Sequence, residues 1–125
     1  MGLVRLDVMA SAQIAATTVA AGPPTRLLKF HAPEIVFGID SMAEAAHAAV
    51  RLGGLRPLLV TDPGLIEAGW VAELVGHLRA QCVEAHVWSA LTPNPKDHEI
   101  AAGHEFYRSH GCDVLIALEI GRAHV

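Results

Sequence analysis

Leu58-Leu59-Val60-Thr61-Asp62-Pro63-Gly64 begins as an apolar run and stops abruptly on an aspartate and a proline–glycine turn. No polar residue alternates through Leu58-Leu59-Val60, the pattern of a strand covered by helices on both faces. The aspartate then stands at the strand's carboxyl end, and in open α/β sheets ligands bind in the crevice outside those ends. Beyond the turn, Val71, Leu74, Val75 and Leu78 repeat at helical spacing and predict one helix over residues 65–81. Residues 84–89 read as a second strand, mixed in character and so nearer the sheet edge, and lead to Thr92-Pro93-Asn94-Pro95. A further helix is predicted over residues 96–110, with Asp97 as its N-cap, Ile100, Gly103 and Tyr107 turned inward, and Gly111 at its end. Cys112-Asp113-Val114-Leu115-Ile116-Ala117-Leu118 is another buried strand. Val60, Val87 and Ile116 recur about every thirty residues, the length of one strand plus one crossover helix. Three such units in series predict an α/β fold, a Rossmann-like doubly wound parallel sheet of which this chain holds part.

Upstream of the central strand, Ser41-Met42-Ala43-Glu44 has the form of a capping box, in which Ser and Glu satisfy each other's amides. The helix it opens carries Met42, Ala45, Ala46, Ala49 and Val50 on one stripe and closes at Gly53-Gly54. Before it, Leu27-Leu28-Lys29-Phe30 and Glu34-Ile35-Val36-Phe37-Gly38 flank Ala32-Pro33 and predict a short N-terminal β-hairpin. Residues 1–24 read as a loose N-terminal extension that ends at the Gly22-Pro23-Pro24 break. Arg5 ahead of a mildly apolar stretch has some features of a signal peptide, but Asp7 and the Thr and Gln content argue against one.

Composition narrows the function classes. With 125 residues and a 52% apolar share, the chain suits one domain with a real core. Nine basic and thirteen acidic side chains give a net charge of −4, and no Lys/Arg stripe offers a footprint for nucleic acid. No apolar stretch reaches the roughly eighteen residues of a membrane span. Cys82 and Cys112 lack C-x-x-C spacing and read as reduced thiols of a cytoplasmic protein. The eight histidines lack the i, i+4 spacing of paired ligands on one helix face: His98, His104 and His110 are six apart. No Gly-x-Ser-x-Gly nucleophile motif occurs. Trp70 and Trp88 read as packing residues.

Phe30-His31-Ala32-Pro33, Phe37-Gly38, Leu59-Val60-Thr61-Asp62-Pro63-Gly64, Thr92-Pro93-Asn94-Pro95 and Cys112-Asp113-Val114-Leu115-Ile116-Ala117 are specific in their order and intervals, not singly. Over residues 28–118 this set closely resembles the N-terminal half of the iron-containing (group III) alcohol dehydrogenases. The resemblance implies a dinucleotide-binding domain (here residues 25–118), a helical C-terminal domain holding a divalent metal, Fe or Zn, and a cleft between them. It implies hydride transfer between a small alcohol and NAD(P), in a cytoplasmic enzyme without nucleic-acid or membrane partners that can form a homodimer. By the same resemblance, Asp62 matches the aspartate that hydrogen-bonds the adenosine ribose, and Asn94 matches an asparagine that helps bind the cofactor. A carboxylate at a strand end accepts both ribose hydroxyls and repels a 2′-phosphate, which favours NAD over NADP. On local sequence alone, Asp62 reads first as an Asp-Pro-Gly turn capping the next helix, and Asn94 as an ordinary turn residue; the resemblance turns both readings towards cofactor binding. No catalytic residue or metal ligand of the family falls on this chain. Two alternatives stand beside this reading: a non-catalytic, flavodoxin-like binding or regulatory module, and a relative of glycerol dehydrogenase or dehydroquinate synthase.

The family pattern breaks after Leu118. Where the family continues Gly-Gly-Gly-Ser, the glycines that let backbone approach a pyrophosphate, this chain reads Glu119-Ile120-Gly121-Arg122-Ala123-His124-Val125. That tail matches the in-frame translation of a common short-read sequencing adapter, and residues 119–125 are expected to be non-native. The chain then reads as an inactive fragment of an NAD(P)- and metal-dependent alcohol dehydrogenase, its last strand expected to present an open apolar edge.

Overall fold

The computed structural model describes residues 4–10 and 34–120. In chain order the elements are β1 (Val4–Ala10), α1 (Met42–Arg51), β2 (Pro57–Val60), α2 (Pro63–Glu67), α3 (Trp70–Ala80), β3 (His86–Trp88), α4 (Asp97–Ser109) and β4 (Val114–Ile120). The four strands form one sheet in the order β1-β4-β2-β3. Strand β2 pairs in parallel with β3 on one side and β4 on the other, with Leu59 opposite both Val87 and Ile116. This is the Rossmann-like parallel sheet that the thirty-residue repeat predicts. Because the chain leaves β2 toward β3 on one side and returns to β4 on the other, the β2–β4 boundary is a topological switch point.

The sheet register sorts the side chains. Leu59, Ile116, Val114 and Leu118 share one face and pack with Ala45, Ala46 and Ala49 of α1 and Val71, Leu74 and Leu78 of α3. Eight of these ten are between 0% and 1% exposed, so this face holds the core. On the other face, Trp88 and His86 meet Phe106 and His110 of α4, which puts the helices on both sides of the sheet. Gly103 lets α4 approach, since a Cβ there would stand 3.1 Å from the Trp88 indole nitrogen. Helix α4 buries no residue fully against the described residues.

Helices α1, α3 and α4 end alike. Beyond α1, the Gly53 and Gly54 amides donate to the Val50 and Ala49 carbonyls at 2.9 Å each, with Gly53 at φ +76°. After α3, Cys82 and Val83 donate to Arg79 and Leu78; after α4, Gly111 and Cys112 donate to Arg108 and Tyr107. Each is a Schellman closure, which needs a left-handed residue just past the helix end. Glycine fills that position at 53 and 111, but Cys82 takes it with a side chain, at φ +59°.

Several local expectations are corrected. The helix predicted over 65–81 is two, because Gly69 adopts φ +88° and breaks the ladder between α2 and α3. The Ser41 side chain makes no capping bond; Glu44 lies instead against His47 and Arg51. The N-cap of α4 is Lys96 rather than Asp97. Ile100 is 60% exposed and Val50 44%, because no described element covers the sides of α4 and α1 on which they lie. Of the predicted hairpin, residues 27–33 lie outside the described residues, and residues 34–37 form no strand. Ile35 and Phe37 are 83% and 85% exposed, so no described residue covers the face a strand there would have to bury.

The larger corrections concern the N-terminal region and the sheet edge. Val4–Ala10, expected to belong to a loose extension, is a strand. It pairs antiparallel with β4 from Val4 opposite Ile120 to Ala10 opposite Val114. The β4 edge expected to be open is therefore occupied along its whole length, because two seven-residue strands satisfy each other's ladder groups.

Candidate functional site

A cleft of about 660 Å³ opens at the carboxyl ends of the three parallel strands, lined by residues 60–63, 91–95 and 117–120. That volume is within the range of small-molecule and cofactor sites. Its walls are the carboxyl end of β2 with the turn that follows, the loop beyond β3 and the last residues of β4, so it sits at the switch point of the sheet.

Asp62 stands on the first wall in extended backbone, φ −107° and ψ 160°. Its Oδ1 accepts the Leu65 amide at 3.1 Å, making Asp62 the N-cap of α2, with Pro63 in the first turn as helix starts prefer. Gly64 leaves room for that bond: a Cβ there would come within 3.1 Å of Oδ1. The capping role and the cleft position are therefore both realised. Asp62 is exposed, and the cap uses only one of its oxygens.

Asn94 stands on the second wall, at φ +59° between two prolines. Asparagine tolerates this left-handed backbone better than most residues. Pro93 and Pro95 have no amide hydrogens, so the turn has little capacity to hold itself. It is held by Glu99, in the first turn of α4. Oε1 of Glu99 accepts the Thr92 amide at 3.1 Å and Oε2 accepts the Lys96 amide at 2.7 Å. These bonds, first that of Lys96 and then those of Thr92, hold the Glu99 carboxyl below its ordinary range. The Lys96 ammonium reaches the Asn94 carbonyl at 3.4 Å.

Thr61 lies between the cleft and the core. Its amide donates to the Trp88 carbonyl at 3.0 Å, extending the β2–β3 ladder by one bond. The residue is 4% exposed, and its Oγ1 has no hydrogen-bond partner among the described residues. The structure thus brings Asp62 and Asn94, the two residues singled out from sequence, onto one cleft. Sequence reasoning missed Glu99 and Thr61. A glutamate at the third helical position is a recognisable capping signal and could have flagged Glu99, whereas nothing local marks the Thr61 hydroxyl as unpaired.

Residues 32–120 match the family model described as iron-containing alcohol dehydrogenase. The chain belongs to the iron-containing alcohol dehydrogenase family. It is 32% identical over 102 residues to a 1,3-propanediol dehydrogenase of Citrobacter freundii, covering 79% of this chain and 26% of that one. It is 31% identical over 96 residues to alcohol dehydrogenase 4 of Schizosaccharomyces pombe, covering 76% and 23%. Among solved structures, a 1,3-propanediol oxidoreductase superposes with a TM-score of 0.62 at 31% identity, over 70% of this chain and 23% of that one. An alcohol dehydrogenase from Oenococcus oeni gives 0.57 at 29% identity, over 62% and 21%. The chain therefore spans about a quarter of the length of the relatives it matches.

Iron-containing alcohol dehydrogenases use NAD(H) and a divalent metal. The residues described here do not make a metal site: no group of three or more His, Cys, Asp or Glu among them could hold an ion. His86 instead meets His110 in a tilted ring contact at 4.9 Å, and His110 stacks on Phe106 with ring centres 3.8 Å apart. Burial, and then the Asp113 carboxylate, push the Cys112 thiol up from its ordinary range. No helix among the described residues is long and apolar enough to cross a membrane.

Proposed function

We propose that this chain supplies the adenosine-binding side of the cofactor cleft in an NAD-dependent alcohol dehydrogenase, with residues 25–118 forming the first part of its dinucleotide-binding domain. The observation that carries the reading is the placement of Asp62 and Asn94 on adjoining walls of one cleft at the sheet's switch point. Asp62 accepts the ribose hydroxyls and orients the adenosine, while its charge turns away a 2′-phosphate. Asn94 offers an amide donor and acceptor from the neighbouring turn. Held there, a nicotinamide cofactor would supply the hydride acceptor for alcohol oxidation in the whole enzyme. The substrate is a small alcohol, the class named for its relatives. NAD is favoured over NADP, in a cytoplasmic enzyme that forms a homodimer. The divalent metal is assigned to parts of the family's length that this chain does not span.

Titration of the isotope-labelled chain with NAD+ and NADP+, followed by amide resonances, tests the reading. Weak NAD+ binding that perturbs residues 61–64 and 92–95, with weaker binding of NADP+, is the expected result. Tighter binding of NADP+, or perturbation confined to other surfaces, overturns it.

A further inference from the structure

We infer that Glu99 is the positioning residue of the cofactor cleft, holding the Thr92-to-Lys96 turn so that Asn94 is presented to the nucleotide. The inference rests on the cofactor reading above. One carboxylate spans the turn, taking the amide that precedes Pro93 on one oxygen and the amide that follows Pro95 on the other. Between those two anchored amides only Asn94 has an N–H, so the segment has almost no donors with which to fold on itself. Asn94 must nonetheless stay at φ +59°, a conformation that persists only when its surroundings fix it. Glu99 is placed to do so because it belongs to α4, whose Phe106 packs against Trp88 of β3. The turn is thereby tied to the strand it leaves and to the helix it enters. Glu99 does not itself line the cleft, and its effect on a ligand must pass through Asn94.

A double-mutant cycle on the 125-residue chain tests this, with Glu99→Ala, Asn94→Ala and the double variant titrated against NAD+ while amide resonances are recorded. Glu99→Ala is expected to weaken NAD+ by about tenfold when Asn94 is present and by less than about twofold in the Asn94→Ala background. Glu99→Gln, which keeps one acceptor oxygen, is expected to fall between wild type and Glu99→Ala. Resonances of Leu59 and Ile116 should stay in place, showing an intact sheet. Equal losses in both backgrounds, with the sheet intact, overturn the role of Glu99 and leave the cofactor reading standing. A loss of the sheet resonances in Glu99→Ala overturns it in favour of a purely structural role, for which Glu99→Gln is the check. Absence of NAD+ binding by the unsubstituted chain overturns the reading beneath it, an outcome distinct from either.

Discussion

Asp62 does two things with one carboxylate, and substitutions can separate them. Its Oδ1 caps α2 while the residue stands exposed on the cleft wall. Asp62→Ser retains an N-cap oxygen but removes the charge, so stability should change by less than about 0.5 kcal/mol, and the preference for NAD+ over NADP+ proposed above should disappear. Asp62→Ala removes both and should also cost about 1 kcal/mol in denaturant unfolding. Thr61 gives a contrasting case. Its hydroxyl is buried without a partner among the described residues, so Thr61→Val is expected to raise stability by about 1 kcal/mol, read from the unfolding midpoint. Glu99 adds a pH dependence. Its pKa is lowered in the folded chain, chiefly by the Lys96 amide and then by Thr92, with a smaller contribution from His98. The stabilisation it gives is therefore full above the ordinary glutamate range and lost as pH falls through the lower folded value. The Thr92 and Lys96 amide resonances should hold steady at neutral pH and move together only in acid.

Helix ends decide how the elements are joined, and the three Schellman closures are not equally comfortable. Cys82 is exposed and adopts φ +59° at the end of α3, where glycine has no Cβ to crowd. Cys82→Gly is expected to stabilise the chain by roughly 0.5–1 kcal/mol, the relief of the left-handed side chain exceeding the added entropy of the unfolded state. Gly54 is the opposite case. A Cβ there would stand 3.0 Å from the Ala49 carbonyl oxygen and 3.0 Å from a methyl of Val114. Gly54→Ala should destabilise by about 1–3 kcal/mol, since either the α1 closure or β4 must move. Much at this scale was legible in sequence. Gly53-Gly54 and Gly111 announce helix ends, and the Val71, Leu74 and Leu78 stripe names the face that α3 buries. The exposure of Ile100 was not legible: periodicity says which residues share a helix face, but not whether anything lies against that face.

Across the whole molecule, the antiparallel pairing of β1 with β4 gives the four-stranded sheet its outer edge. A chain lacking residues 1–10 leaves seven residues of β4 ladder unpaired, beside the apolar Val114, Ile116 and Leu118. Such a chain should associate, shown by concentration-dependent elution and light scattering, whereas the 125-residue chain under the same conditions should not. The cleft forms at the same scale. Its three walls come from segments about thirty residues apart, and only the parallel pairing of β2 with β3 and β4 brings them to one end of the sheet.

The amino-acid sequence by itself determined the α/β class, the three strand–helix repeats and the positions of Asp62 and Asn94 at strand ends. Each of those follows from local pattern: apolar runs of strand length, helical spacing, and turn residues such as proline, glycine and asparagine. The tertiary structure alone decided that residues 4–10 join the sheet and close its edge, and that residues 34–37 do not form a strand. It also decided that one glutamate anchors both ends of the Asn94 turn, and that the Thr61 hydroxyl finds no partner among the described residues. The physical reason is common to all four. Strand pairing, burial and the reach of a side chain across a turn depend on which surfaces meet, and no window of neighbouring residues contains that information.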